Sequence, residues 1–370
     1  MGENRNVSVL LVILAFSGGP AADVKPGLVV AWGSNGFGQT AVPEGLVAVQ
    51  IDTLSDHTIA RTSTGAVVAW GRNDLGQCDL PAEEGWIDAD AGGAHTVLLS
   101  SDGQAVGVGW NQFGQCEAPT GEIFIVVDAG YYHSIGLTAD GRVRAWGLNL
   151  DGRTEPPVIN DGIDISCGAN HALVLRSDGS VLAWGRNDEG QCDVPTDLGC
   201  QNISAGFYHS TATRSNETTL GWGTNTFQVL DIPPQSPFVQ IASGIGHAGG
   251  IFPDGSVEMW GFNQFGQVDV PEGTYATLSA GQGHTVGIEG APCPVDLGDP
   301  DQNQNGIHDS CECLPDLNGD RRVNFVDLLL VINAWGPVDL GELGDVNGDA
   351  LVTFGDLLIV LDSYGTQCPL

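Results

Sequence analysis

Residues 91–116 read AGGAHTVLLSSDGQAVGVGWNQFGQC, and variants of this stretch recur along most of the chain. The run His95–Ser100 has the apolar and β-branched composition that predicts a strand. Asp102-Gly103 predicts a tight hairpin turn, because glycine accepts positive φ without the steric cost of a Cβ atom. Ala105–Gly109 then predicts the return strand. The repeated unit is therefore a small antiparallel sheet.

Two series of residues establish the period of this repeat. Trp-Gly pairs and single histidines recur at intervals of 38 residues, with a last histidine interval of 37. In the second copy Val108 takes the tryptophan position, and Trp110 suggests that the ring has moved within the same strand. One such sheet cannot bury both faces, so seven copies are expected to pack in a ring. The series are Trp32, Trp70, Trp146, Trp184, Trp222 and Trp260, and His57, His95, His133, His171, His209, His247 and His284.

The two ends of the repeat region complement each other. The last copy ends at His284–Gly290 and lacks an Ala-Trp-Gly strand, whereas the first copy begins with Gly27–Gly33 and lacks the strands before it. We expect the N-terminal strand to complete the last sheet, which removes the exposed strand edges. The predicted fold class is mainly β, with a seven-bladed β-propeller over residues 27–290 and a small α-helical domain in the tail.

The repeat has three signatures: an Ala-Trp-Gly-x-Asn strand end, a Gly-Gln turn and a Gly-x-x-His motif. They resemble the regulator of chromosome condensation repeat family, and this resemblance also implies a seven-bladed propeller. The short period is most similar to that of bacterial secreted propellers of the family. The nucleotide exchange activity of the chromatin-bound member is not expected, because this chain is acidic and begins like an exported protein.

Residues present in every copy are expected to build the blades rather than to bind a ligand. The tryptophans are predicted to form the core between blades, and each imidazole to hydrogen-bond a neighbouring backbone group. A metal-binding ring of histidines is the less favoured alternative. Specificity is therefore expected at positions that vary within the repeat.

The two residues before each histidine vary between copies and are expected at one end of the propeller. In copies three and five they are aromatic, and a polar residue stands between them in copy four. Aromatic rings around a polar group are typical of contact sites, so we predict that they bind an extracellular protein or glycan. The alternative is that these rings pack against adjacent blades. The predicted residues are Tyr131, Tyr132, Asn170, Phe207 and Tyr208.

The N-terminal segment has the layout of a secretory signal peptide. Arg5 precedes the apolar run Val7–Phe16, and small residues follow as far as Ala22. We predict a signal peptide over residues 1–22, a secreted or cell-surface protein, and no membrane span after cleavage. An uncleaved membrane anchor is the alternative, which the shortness of the apolar run disfavours.

Composition indicates where the protein works and what it does not bind. The chain has 46 acidic and 12 basic residues and a net charge of −34, so it offers no basic patch for nucleic acid. Nine cysteines agree with an oxidising destination. Spacing allows Cys200 to pair with Cys192 or with Cys167, and leaves the choice open.

An acidic tail follows the repeats, and two of its segments match each other at an offset of 29 residues. In each segment, oxygen-bearing side chains occupy positions 1, 3, 5, 9 and 12 of a twelve-residue loop, with a backbone carbonyl at position 7. This spacing wraps calcium. The apolar runs Leu328–Trp335 and Leu357–Tyr364 predict a helix after each loop. The predicted ligands are Asp316, Asn318, Asp320, Arg322, Asn324 and Asp327, and Asp345, Asn347, Asp349, Leu351, Thr353 and Asp356.

This duplicated loop–helix pair resembles the dockerin module, which predicts a dockerin-like domain over residues 314–370. The resemblance implies calcium-dependent assembly with a cohesin-like or surface partner, through loop positions 10 and 11. The two loops differ from the dockerin pattern at position 6, where Arg321 and Ala350 replace the usual glycine. This difference is expected to weaken calcium binding. The implied partner contacts are Phe325, Val326 and Phe354.

A third calcium-type loop precedes the pair, in a linker over residues 291–313. Residues 301–312 fit the loop pattern, with Gly306 at position 6 and cysteines nearby, but without flanking helices. The segment resembles a thrombospondin type 3 calcium repeat, which implies a stiff, metal-bound linker. Its predicted ligands are Asp301, Asn303, Asn305, Ile307, Asp309 and Glu312.

Together these features predict an extracellular binding or scaffold protein with calcium as its cofactor. It is not expected to be an enzyme, because no catalytic set stands apart from residues that the repeat itself imposes. Two alternatives remain open. One is a catalytic or non-catalytic component of an extracellular polysaccharide-degradation system, since dockerins accompany glycoside hydrolases. The other is a propeller-type inhibitor of a secreted enzyme.

Overall fold

The repeat region folds into seven small antiparallel sheets. The computed structural model describes residues 26–196, 199–214, 218–234 and 237–290, together with the short strands Gly336–Pro337 and Leu351–Val352. The chain separates into two units, Met1–Pro292 and Cys293–Leu370, and each is described by itself.

The elements of the first unit are almost all strands of four to seven residues. One 3-10 turn, Thr226–Gln228, interrupts them. In chain order the strands are β1 (Gly27–Gly33), β2 (Val47–Ala48), β3 (Gln50–Asp52), β4 (His57–Arg61), β5 (Val67–Gly71), β6 (Trp86–Ala91), β7 (His95–Ser100), β8 (Ala105–Gly109), β9 (Phe124–Ala129), β10 (His133–Thr138), β11 (Val143–Gly147), β12 (Gly162–Cys167), β13 (His171–Arg176), β14 (Val181–Gly185), β15 (Cys200–Ala205), β16 (His209–Arg214), β17 (Thr219–Gly223), β18 (Gln240–Ser243), β19 (His247–Ile251), β20 (Val257–Gly261), β21 (Tyr275–Ala280) and β22 (His284–Glu289).

Each sheet is one blade of the propeller. Blades one to six are the consecutive triplets β3–β5, β6–β8, β9–β11, β12–β14, β15–β17 and β18–β20, and blade seven has the order β2-β1-β22-β21. The strands predicted from residues 91–116 are confirmed as β7 and β8. Gly103 makes the turn between them with a φ of 80°, a conformation that favours glycine.

The N-terminal strand closes the ring, as the sequence predicts. Strand β1 pairs antiparallel with β22, from Val29 opposite Ile288 to Gly33 opposite His284. The same register places the start of β1 beside the end of β22. The chain therefore enters and leaves the propeller at the end opposite to the Gly-x-x-His turns.

The repeated tryptophans form the core between blades, as predicted. Trp70, Trp146 and Trp222 are at most 9% exposed, and each donates its Nε1–H to a backbone carbonyl in the loop that leads into its own blade. The Trp146 bond, to Gln115 O, measures 2.9 Å. Because these bonds cross from loop to blade, the ring of each tryptophan fixes the position of one blade against the preceding one.

The repeated histidines link each blade to the next through a hydroxyl group. His57 Nε2 lies 3.1 Å from Thr96 Oγ1 of the following blade, and Thr96 Oγ1 donates to Gln77 O at 2.9 Å. The Thr96 hydroxyl donates its only proton to Gln77 O, so it can only accept from the imidazole. His57 must therefore donate from Nε2. Burial lowers the pKa of His57 to about 4, so the ring is neutral. The predicted bond from imidazole to backbone is wrong, because a side-chain hydroxyl stands between the two.

Two blades lack this hydroxyl. Ala172 replaces it in blade four, and His133 Nε2 instead contacts Cys167 Sγ at 3.7 Å. Ala248 replaces it in blade six, and within the described residues neither ring nitrogen of His209 has a hydrogen-bond partner. A buried polar atom without a partner costs about 1–3 kcal/mol.

The substitution Ala248→Ser should therefore stabilise the propeller. It supplies the missing hydroxyl opposite His209, and we expect the free energy of unfolding to rise by about 1 kcal/mol. Chemical denaturation measures this. The matched control is Ala212→Ser, which buries a hydroxyl in an apolar cluster and should destabilise. Equal destabilisation by both variants would contradict this role of the hydroxyl.

In the second unit the structure describes one short pairing, with Gly336 opposite Val352 and Pro337 opposite Leu351. The signal peptide, the remaining predicted calcium ligands, the tail helices and the tail contacts Phe325, Val326 and Phe354 lie outside the described residues. Among the residues that are described, no helix is long and apolar enough to cross a membrane.

Candidate functional site

Four aromatic residues predicted as partner contacts meet at one end of the propeller. They lie in the turns between the first and second strands of blades three and five. Within blade three the Tyr131 and Tyr132 rings are 4.8 Å apart, and within blade five the Phe207 and Tyr208 rings are 4.4 Å apart. The Tyr131 and Phe207 rings are 5.8 Å apart, edge to face, and thus join the two blades. The structure confirms that these residues come together.

Small residues on the neighbouring blades make this contact possible. Ala169, at the corresponding turn of blade four, is fully buried and leaves room for Tyr131 and Phe207 to meet. On the other side, a Cβ atom at Gly93 would lie 2.8 Å from the ring of Tyr131. The turns are also bonded to one another, since Tyr131 N–H donates to Ala169 O at 3.1 Å. The rings are therefore held by a rigid frame.

Two more rings, which sequence reasoning missed, extend this group. Trp110 lies 5.1 Å from Tyr132 and 5.3 Å from Phe113. Trp110 follows the end of β8, so the prediction that its ring moved within the strand is wrong. Its position after the Ala-Trp-Gly strand end varies between blades, and that variation was the available signal. We call the six residues the aromatic belt: Trp110, Phe113, Tyr131, Tyr132, Phe207 and Tyr208.

The belt is a surface rather than a core. Phe113 is 40% exposed, and the other five side chains are partly buried. The rings pack edge to face against one another, which aromatic pairs favour. Packing between blades, the alternative prediction, therefore explains part of the contacts of these rings. It does not explain why their edges are exposed.

Arginine side chains border the belt. The Arg186 guanidinium lies 5.3 Å from the centre of the Tyr208 ring, and its Nε donates to Asp188 at 2.8 Å. A cation over an aromatic face contributes about 0.5–1 kcal/mol at an exposed site. The carboxylate of Asp188 therefore holds a cation in place against the outer ring of the belt.

Asn170, predicted as a partner contact, also holds a contact within the propeller. Its side-chain oxygen accepts a 2.6 Å bond from Arg153 Nη1. Arg153 is 2% exposed, stands where most blades carry glutamine, and also donates to Leu150 O at 2.7 Å. Burial lowers the pKa of Arg153, and its bond with Asp151 opposes that shift. Asn170 thus positions a buried cation whose charge acts on Tyr132, and its own oxygen is already occupied.

The Arg153–Asn170 bond should show energetic coupling. Arg153→Gln restores the glutamine of the other blades, and Asn170→Ala removes the acceptor of the bond. The double variant should therefore lose less free energy of unfolding than the two single variants lose together. We expect a coupling of about 1.5–3 kcal/mol in the free energy of unfolding, because the bond is charge-assisted. Arg142→Gln with Asn170→Ala is the control pair and should be additive, because Arg142 is exposed and paired with Asp140 in a turn at the opposite end of the propeller. Additivity in both pairs would remove the positioning role of Asn170.

Acidic residues line the centre of the ring, and sequence reasoning missed them. Asp52, Asp90 and Asp128 lie on the first strands of blades one, two and three, facing a cavity of about 80 Å³. Each accepts a backbone N–H from the next blade at 2.9 Å. In other blades serines take this place. Burial, followed by the charges of its acidic neighbours, raises the pKa of Asp90 well above its usual value.

The described part of the chain offers neither a metal site nor a disulfide. Within the described residues no group of three His, Cys, Asp or Glu side chains is arranged to hold a metal ion. The described cysteines are all free thiols, and the disulfide of Cys200 with Cys192 or Cys167 does not form. Cys167 and Cys200 are buried on the first strands of their blades, which keeps both out of loops.

Comparison with known families identifies the repeat. Residues 51–77, 86–115, 124–153 and 163–191 match the Regulator of chromosome condensation (RCC1) repeat. The chain carries RCC1 repeats. The match covers blades one to four and the loops that contribute Trp110 and Phe113 to the belt. A comparison with curated proteins gives no significant match.

Solved structures agree with an RCC1-type propeller. Prp20p from Saccharomyces cerevisiae superposes with a TM-score of 0.62 at 16% identity, over 74% of this chain and 94% of that chain. Human WBSCR16 gives 0.59 at 16% identity, over 72% and 100%. The ectodomain of the Arabidopsis thaliana receptor kinase ACR4 gives 0.54 at 26% identity, over 63% and 88%. These likenesses establish the fold.

Proposed function

We propose that the protein is an extracellular binding protein whose propeller recognises a partner protein through the aromatic belt. The observation that carries this proposal is the contact between Tyr131 and Phe207, which joins two blades into one surface. Tryptophan, tyrosine and arginine are the residues that dominate binding energy at protein interfaces. The belt and its bordering arginines have this composition.

The position of the belt also supports binding. Strand β1 begins and β22 ends at the end of the propeller opposite to the Gly-x-x-His turns. The described ends of the propeller chain, Gly27 and Glu289, therefore lie away from the belt. Neither of these two ends occupies the surface that the belt offers to a partner.

Related propellers support a protein partner in general terms. The structure of Prp20p is described together with its binding to Gsp1p and histones. The Arabidopsis thaliana propeller belongs to the ectodomain of a receptor kinase. We infer from these proteins the class of partner only.

For the tail we propose calcium-dependent attachment to a cohesin-like or surface partner. The support is the duplicated loop pattern over residues 316–327 and 345–356, preceded by the loop over residues 301–312. In this proposal the propeller is a binding head without catalytic activity, and the tail connects it to a scaffold. Inhibition of a secreted enzyme would be one form of such binding.

A glycan is the second candidate for the belt. Aromatic rings also stack on sugars, and the tail resemblance allows a place in polysaccharide degradation. The edge-to-face packing of the belt favours a protein, because rings packed in this way offer edges and clefts rather than one flat platform.

Substitutions in the belt should weaken partner binding. Tyr132→Ala or Phe207→Ala in the full chain should weaken retention of a secreted partner protein at least about tenfold, which corresponds to about 1.4 kcal/mol. Affinity capture from the source organism's secreted proteins, followed by titration of the captured protein, measures this.

Ile123→Ala is the control for the belt. Ile123 is 62% exposed and lies beside Gly103, at the opposite end of the propeller, so its loss should leave binding unchanged. Equal binding by all three variants with intact circular dichroism would contradict the protein-binding proposal. Retention of a glycan from a panel, lost with the same belt residues, would favour the second candidate.

Calcium should bind the tail and stabilise it. Titration calorimetry of the full chain should detect calcium binding at several sites, and Asp316→Ala and Asp345→Ala together should remove the two sites of the duplicated pair, because position 1 supplies a carboxylate ligand in each loop. Chelator should lower, and calcium restore, the unfolding temperature of the tail. Absence of heat at millimolar calcium would contradict the calcium proposal.

A further inference from the structure

The three central carboxyl groups occupy one register of the ring. Asp52, Asp90 and Asp128 each hold the first strand of the next blade, through the backbone N–H groups of Ala91, Ala129 and Cys167. Blades four and five perform the same task with neutral groups, because Ser166 and Ser204 accept from Ala205 and Ser243. A carboxyl group is therefore not required to link one blade to the next, and the three aspartates are expected to have a further role.

No basic side chain is among the described residues that line this cavity. The charges that act on Asp90 include that of Asp88 on β6, and Cys167 on β12 is part of the cavity lining. Ser279 on β21 donates a neutral hydroxyl to Asp52 Oδ1 at 2.9 Å. The Arg61 guanidinium donates to Gln50, and its charge opposes the rise in the pKa of Asp88. The three carboxyl groups thus face a cavity whose described lining has no basic side chain.

Asp52 and Asp90 favour a bound proton over two charges. Both carboxyl groups line the same cavity, and the charge of Asp52 raises the pKa of Asp90. Burial raises the pKa of both, and the same cause raises the pKa of Asp88 to about 7. Ionising a second carboxyl there places like charges side by side at buried positions.

These bonds lead directly to the belt. The N–H that Asp90 accepts belongs to Ala129, the last residue of β9, and Tyr131 and Tyr132 follow two and three residues later. The N–H that Asp128 accepts belongs to Cys167, the last residue of β12, and Ala169 lies two residues beyond. The acidic groups therefore anchor the two turns over which Tyr131 reaches Phe207.

We propose that Asp52, Asp90 and Asp128 form a proton-holding clamp that regulates the aromatic belt. With the proton in place, the first strands of blades one to four are held together and the belt is assembled. When the proton is lost at higher pH, like-charge repulsion pushes these strands apart and loosens the contact between Tyr131 and Phe207. The regulation of partner binding rests on the proposed role of the belt. The presence of the bound proton does not depend on that role.

The sign of the pH dependence follows from the direction of the shifts. The folded-state pKa values lie above the ordinary value of 3.8, so the protonated form favours the folded state. The stabilisation is fully present below about pH 4 and is lost as the pH rises through the folded-state values. Acidic solutions should therefore tighten the clamp.

The test compares the full-length protein with Asp90→Asn, Asp90→Ser and Asp102→Asn between about pH 5 and about pH 8.5. The wild-type melting temperature should fall by about 3 °C or more over this range. Asn and Ser cannot ionise, and Ser is the residue of blades four and five, so both variants should reduce the fall. Asp102 is an exposed turn residue, and its variant should behave as the wild type.

Two spectroscopic measurements complete the test. Infrared difference spectra should show a protonated carboxyl near neutral pH that Asp90→Asn removes. The near-ultraviolet circular dichroism signal that Tyr131→Ala removes should weaken at high pH in the wild type and persist in Asp90→Asn. A flat melting temperature without a protonated carboxyl would overturn the clamp, and an unchanged belt signal would overturn its link to the belt. Failure to find any partner would overturn the proposed function and leave these results standing.

Discussion

The structure depends on one hydrogen-bond relay that crosses from blade to blade. A buried imidazole donates to a hydroxyl of the next blade, and the hydroxyl donates to a carbonyl in the intervening Gly-Gln loop. The tryptophan of that next blade donates to the same carbonyl, as Ser134 and Trp146 do to Gln115 O at 2.9 Å. Each relay therefore bonds three segments at one point, and the polar atoms would otherwise be buried without partners.

Closer to the axis, the blades are joined by two further sets of bonds. The Gly-x-x-His turns are linked through their backbones, as Gly93 N–H is to Gly130 O and Phe207 N–H to Gly244 O. Below them, side chains of the first strands accept backbone N–H groups from the next blade. A change at the axis can reach the turns within two or three residues, since both sets of bonds involve the same short stretch of chain. Function at the belt and stability at the axis are thus physically connected.

The repeat made most of the fold predictable, because a period of 38 residues with two independent markers leaves little choice of strand or turn. The closing pair of β1 and β22 was predictable for the same reason. The partner of each histidine was not, since the hydroxyl that it contacts lies in another blade. The strand position of Trp110 was predicted wrongly. A tryptophan two residues from its usual place in the repeat suggests the same strand, whereas Trp110 lies after the end of that strand. Asp52, Asp90 and Asp128 were missed because single aspartates in short strands give no signal until the ring brings them together.

The most direct test of the central claim is amide hydrogen exchange of the full chain with and without its captured partner. The belt account predicts protection in the turns at residues 130–133 and 206–209 and in the loop at 110–113, with no change at the opposite turns such as 101–104. Protection confined to the opposite turns, with the belt segments unchanged, would contradict it.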